Sequence, residues 1–165
     1  MKLYISIILI SIVACDNKPK TELLTGDLYF SFFRFGSYYN HSDSAIEKFE
    51  IYFDTVSYEK ASDGDKRLLN NYEKVKEEKL LYHPFVDILT EKDSVVTLYL
   101  EARDYDEIKK HKRKELQDEN KKLRIEADVK KIGDGLFYCN DLIKVQKIDG
   151  ETLMKQKKIK IEDYK

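Results

Sequence analysis

The sequence predicts an α+β fold, an antiparallel β-sheet with about three helices packed mainly on one side. Three observations predict it. Leu123, Ile125, Ala127 and Val129 alternate with charged residues, the period of a strand with one solvated face. Ile46, Phe49, Tyr52, Phe53 and Val56, and then Leu68, Leu69, Tyr72 and Val75, recur at helical spacing instead. Turn signals such as Gly133-Asp134-Gly135 and Asp149-Gly150 bound short apolar runs, and no repeat of about 20 to 50 residues marks a solenoid.

Composition narrows the classes. The 165 residues carry 30 Lys and Arg against 31 Asp and Glu, and 37% of the chain is charged, above the roughly 25% of an average soluble domain. That excludes a polytopic membrane protein. The balance of signs removes the strong positive field of non-specific nucleic-acid binding, so no nucleic-acid partner is expected. One globular domain is the natural count for this length.

The amino terminus comes first. Met1 and Lys2 precede an apolar run from Leu3 to Val13, which at about 1.5 Å per residue is too short to cross a hydrocarbon layer of about 30 Å. A positive start, a short apolar stretch and then small residues form a secretory signal peptide. The stretch ends Ile12-Val13-Ala14-Cys15, which resembles the lipobox of bacterial lipoproteins. The resemblance implies a diacylglycerol on the Cys15 thiol, cleavage just before it, and a protein held at the membrane of the bacterial cell envelope by lipid. Asp16 follows the cysteine; in the enterobacterial sorting scheme an aspartate there implies the inner membrane, while other bacterial groups sort differently, so inner and outer membrane both stay open. The expected organisation is a signal peptide over 1–14, a lipidated tether over 15–26 and a single α+β domain over 27–165.

The remaining elements follow in order. Leu28 to Phe35 is a β-favouring run with apolar residues on both faces, an interior strand ended by Gly36. A first helix starts near Asp43 or Ser44, with Ser44 and Glu47 as a capping box. A second is expected from about Asp65 to Leu80, with Asp63-Gly64-Asp65 as turn and cap, and Pro84 bars its continuation. Phe85 to Leu89 and Ser94 to Ala102 read as strands around the turn Thr90-Glu91-Lys92-Asp93. A third helix, from about Tyr105 to Asn120, takes Asp104 as N-cap and carries a narrow apolar stripe of Tyr105, Ile108 and Leu116. Leu136 to Cys139 and Leu142 to Ile148 read as separate strands, and the tail from Lys155 as an edge strand or a frayed end.

Candidate chemistry is sparse. His41, His83 and His111 lack the neighbours that mark a zinc site, and Asp63-Gly64-Asp65 lacks the oxygens of a calcium loop, so no metal and no cofactor is expected. Asn40-His41-Ser42-Asp43-Ser44 has the letters of a hydrolytic triad without its converging geometry, and is better explained as linker and helix cap. No catalytic residue is assigned. With Cys15 lipidated, Cys139 has no partner in the chain and reads as a small buried hydrophobe.

Two segments stand out as binding candidates. Tyr29, Phe30, Phe32, Phe33, Phe35, Tyr38 and Tyr39 crowd one short stretch. One open face there makes Tyr29, Arg34, Tyr38 and Tyr39 a ligand-binding platform for sugar rings or peptide, and two covered faces make them core. Lys109-Lys110-His111-Lys112-Arg113-Lys114 is the one dense basic run. It reads as a solvated helix face balanced by Asp104, Asp106 and Glu107 before it and Glu115, Asp118 and Glu119 after it, with anionic lipid headgroups as the sharper alternative. Asp43-Ser44-Ala45, Asp54-Thr55-Val56 and Asp93-Ser94-Val95 resemble the Asp-Ser/Thr-apolar acceptors of O-glycosylation in some exported Gram-negative proteins. The expected function is a non-catalytic, lipid-anchored binding or interaction module whose partner is an envelope protein or glycan. An envelope inhibitor or immunity-type lipoprotein and a small hydrolase with an unrecognised site are the alternatives.

Overall fold

The computed structural model describes residues 21–30 and 36–150. The predicted signal peptide, Cys15, Phe32, Phe33, Arg34, Phe35 and the lysine-rich tail lie outside these residues. The described elements are β1 (Glu22–Tyr29), α1 (Asp43–Thr55), a 3-10 turn (Tyr58–Lys60), α2 (Asp63–Glu77), β2 (Phe85–Thr90), β3 (Val95–Tyr99), α3 (Ala102–Lys109), α4 (Arg113–Asp118), β4 (Lys121–Gly133) and β5 (Leu136–Asp149).

The strands pair in the order β1-β2-β3-β5-β4, and β4 pairs back onto β1, so the sheet closes into a barrel. The β3–β5 seam is parallel, with Thr97, Leu98 and Tyr99 beside Leu136, Phe137 and Tyr138, and the other pairings are antiparallel. A parallel neighbour requires a crossover, here built from α3, α4 and β4. This order, with helices between the third and fourth strands, is that of the oligonucleotide/oligosaccharide-binding barrel, a five-stranded Greek-key architecture. The architecture hosts many functions and by itself assigns none.

The α+β class is as predicted, with one difference in the sheet and one in the helices. The sheet is mixed and closed, because β1 pairs with both β2 and β4 through residues far apart in the chain. The helices divide between two places. Ile108 of α3 and Leu116 of α4 join the barrel core of Val86, Ile88, Val96, Leu98, Leu123, Ile125, Ala127, Val129 and Cys139. The α1–α2 pair instead builds a second core from Tyr38, Phe53, Leu69 and Tyr72, in which the Phe53 and Tyr72 rings stack 3.9 Å apart. The end of this lobe rests on the barrel, where Val75 and Leu80 meet Tyr99 and Leu136 on the outer side of the parallel seam. Asp87, Thr97 and Tyr99, which point out of the barrel, are buried as well. Thr97 donates its hydroxyl to Asp87 at 2.9 Å, and the Tyr99 hydroxyl donates to the Gly36 carbonyl.

Several boundaries move. β1 begins at Glu22, inside the expected tether, and its described end is Tyr29. The N-cap position of α1 is Ser42 rather than Ser44. For α2 the cap is Ser62, whose Oγ accepts from the Asp65 backbone N–H at 3.2 Å and donates to the Asp65 carboxylate at 2.7 Å. This is a capping box with Asp in the acidic position, so Asp63-Gly64-Asp65 is the first helical turn rather than the approach to it.

The expected third helix is two helices, and Asp104 lies in the first turn of α3 behind an N-cap at Glu101. On an unbroken helix Ile108 and Leu116 stand about 80° apart around the axis. The break between α3 and α4 lets both reach the barrel core. Leu136 to Ile148 is one strand, because register shifts at Glu126/Ala127 and Asp128/Val129 absorb the irregular Asn140-Asp141 step.

Candidate functional site

A cleft of about 570 Å³ opens between the end of β1, the start of β2 and the α3–α4 turn. Its aromatic walls are Tyr29 and Phe30 from the end of β1, Phe85 from the first position of β2 and Tyr105 from α3. Tyr29 and Phe30 are 38% and 37% exposed. Lys109, His111, Lys112 and Arg113 supply the polar side. The Arg113 guanidinium stands 5.1 Å from the centre of the Phe30 ring and the Lys109 ammonium 5.4 Å from that of Tyr105. Cation–π contacts at such exposed positions are worth about 0.5 to 1 kcal/mol each and hold the cations close to the rings. Tyr39 meets Tyr105 edge-on from behind, at 5.6 Å and 76°.

Charge is sorted at this place. In sequence the stretch from Ala102 to Asn120 has its bases and acids in balance. Among the described residues lining the cleft, Asp87 is the one carboxylate, and none of the acids of α3 and α4 lines it. Glu107 pairs with Lys110, whose ammonium holds the carboxyl below its ordinary range. Lys112 reaches Glu115 at 3.7 Å, an exposed pair worth little in water. The basic run is thus the turn between two helices and one side of a cleft, rather than a solvated face of one helix.

The four-residue platform is not assembled as predicted. Tyr29 lines the cleft and Tyr39 backs it, but Tyr38 is 2% exposed and belongs to the α1–α2 core. The Tyr38 backbone N–H donates to the Leu81 carbonyl at 2.5 Å, which turns the side chain inward. Its ring packs against Phe49 and Tyr82, and its hydroxyl donates to that of Tyr72 at 3.4 Å. Burial first, and the Tyr72 hydroxyl second, push Tyr38 well above the ordinary range for tyrosine. Arg34 lies outside the described residues. The cleft residues that sequence reasoning did not single out for binding are Phe85 and Tyr105, while Lys109 and Lys112 belong to the basic run. The aromatic crowding and the basic run were both visible, but nothing local says that they meet.

His41, His83, Thr55 and Ser94 lie apart from the cleft. His41 is exposed with its ring edge-on to Phe49, and His83 places Nδ1 3.3 Å from the Leu100 carbonyl oxygen and 3.7 Å from Glu101. Glu101 also accepts the Tyr138 hydroxyl at 2.5 Å; that bond, with burial behind it, pushes Tyr138 up to about 12. Among the described residues no group of three His, Cys, Asp or Glu could hold a metal ion. Thr55 donates to the Ile51 carbonyl at 2.7 Å and Ser94 lies 2.7 Å from the Thr90 hydroxyl, so both sit in local helix-end and hairpin hydrogen bonds. A second, larger cavity of about 840 Å³ lies beside α2 and the β4–β5 turn, lined by Arg67, Asn70, Asn71, Lys131 and Asp134, with both signs of charge and little aromatic surface.

No protein-family model, curated protein or solved structure matches this chain, so the reading of the cleft rests on its own geometry.

Proposed function

We propose that this chain is a lipid-anchored protein of the bacterial cell envelope that acts as a non-catalytic binding module, with its ligand seated in the cleft between β1, β2 and the α3–α4 turn. The observation that carries the reading is the convergence of aromatic and cationic side chains on one concave site, the combination that marks small-ligand and recognition sites. On the outward face of β2 and β3, where barrels of this architecture customarily bind, Tyr99 is covered by the end of this chain's own α1–α2 lobe, while Phe85 and Asp87 line the cleft. Binding across Tyr99 would require the lobe to leave, whereas the cleft at the Phe85 end of that face is open. The anchor is supported by Ile12-Val13-Ala14-Cys15 at the end of a short apolar run.

One paired experiment tests both halves. The wild-type chain is expected to incorporate labelled palmitate and fractionate with membranes, and Cys15→Ala to do neither; unchanged labelling and fractionation in Cys15→Ala overturn the anchor. Envelope glycans and peptides retained by the wild type are expected to be released from Phe30→Ala, and equal retention overturns the assignment of the cleft.

A further inference from the structure

The cleft has a polarity that narrows what fits it. Among the described residues its cations come from one short stretch, and the acids of that stretch do not line it: Glu107 pairs with Lys110, and Glu115 stands 3.7 Å from Lys112. Asp87, the one lining carboxylate among the described residues, accepts the Thr97 hydroxyl through Oδ1 at 2.9 Å. The cations are also placed relative to flat surfaces: the Lys109 ammonium lies over Tyr105, and the Arg113 guanidinium over Phe30. An oxyanion that contacts these groups carries whatever is attached to it onto the neighbouring ring faces.

Shape separates a small ligand from a surface. A concavity of about 570 Å³ falls within the roughly 300 to 1,000 Å³ of small-molecule sites, whereas a bilayer surface is met by a flat or convex patch. Resting on the reading of the cleft as a binding site, we infer that its ligand is a small soluble molecule that carries a phosphate or carboxylate oxyanion on a flat apolar body. The oxyanion lies against Lys109 and Lys112, and the apolar body lies between Phe30 and Tyr105.

The test is titration of the full chain, in mild detergent, with 1-naphthyl phosphate, read by naphthyl fluorescence. Saturable binding is expected, with 1-naphthol and inorganic phosphate each weaker by about tenfold or more, since each lacks one half of the recognition. The double variant Lys109→Gln/Lys112→Gln, at two exposed positions, is expected to lose about tenfold or more in affinity while its thermal midpoint stays near that of the wild type. Dihexanoyl phosphatidic acid brings the same oxyanion from a lipid and is expected to bind more weakly than naphthyl phosphate; the reverse order overturns the soluble ligand. Unchanged affinity in the lysine double variant overturns the inference. Equal binding of 1-naphthol, lost in Phe30→Ala, overturns the oxyanion while leaving the cleft a ligand site. Absence of naphthyl binding, with Phe30-dependent retention of envelope material intact, overturns the ligand class alone.

Discussion

Cys139 shows how much one side chain reports about its surroundings. It is 1% exposed and lies opposite Val129 in the barrel interior, the small buried hydrophobe that its apolar neighbours predict. Burial, reinforced by the nearby carboxylates of Asp104, Asp141 and Asp128, pushes the thiol from its ordinary 9.0 up to about 12. Below the lower value both the folded and the unfolded chain keep the proton. Between the two values the unfolded thiol ionises and the folded one does not, so the unfolded state binds fewer protons and stability falls as pH rises through that window. The denaturation midpoint of the wild type is therefore expected to fall more steeply from about pH 9 upward than that of Cys139→Ala. Parallel curves for the two proteins would refute this. The same burial makes Cys139 a poor nucleophile, because the thiolate is the reactive form.

At the scale of single elements, α2 is written most plainly in the sequence at its buried stripe and least plainly at its two ends. Leu69, Tyr72 and Val75 are buried as their spacing predicts. The C-terminus closes with a Schellman motif: the Leu80 N–H donates to the Val75 carbonyl at 2.8 Å and the Lys79 N–H to that of Lys76 at 3.0 Å, while Val75 and Leu80 pack together. The residue that turns the chain is Lys79, at φ 61°, where an L side chain with a Cβ is strained and glycine is not. Replacing Lys79 by Gly is expected to stabilise the protein by about 0.5 to 1 kcal/mol, the relief of strain less the added freedom of the unfolded chain. A lower thermal midpoint for Lys79→Gly would contradict the motif. Pro84 placed the end only near Leu80, since the glycine that usually marks such a turn is missing. The α3–α4 break was hidden for a related reason: a basic run carries good helix formers, and only the need of Ile108 and Leu116 to reach one core makes it a turn.

For the whole molecule, closure of the barrel turns on a close approach. Gly26 pairs with Thr90 on one side and Ile125 on the other, so β1 is hydrogen-bonded along both edges there. A Cβ at this position would stand 2.5 Å from the Ile88 side chain and 2.6 Å from the Leu89 carbonyl oxygen, and the latter is backbone that cannot step aside. Gly26→Ala is expected to cost about 1 to 3 kcal/mol, the range of overpacking in a close-packed interior. A denaturant midpoint equal to that of the wild type would show that the strands have room to part.

The sequence by itself determined the helix or strand character of the elements from α1 onward and the inward faces of β3 and β4. Val96 and Leu98, and Leu123 through Val129 at alternate positions, are buried as the two-residue period requires, because that period is a property of the local backbone. Only the tertiary structure decided which strand lies beside which, since the β3–β5 seam and the return of β4 to β1 join residues whose order along the chain does not specify their pairing. It decided the cleft for the same reason. Phe30 and Arg113 are far apart in sequence and 5.1 Å apart in space, and the balanced charges of the α3–α4 stretch become a cationic wall only once a turn and a barrel end sort them by direction.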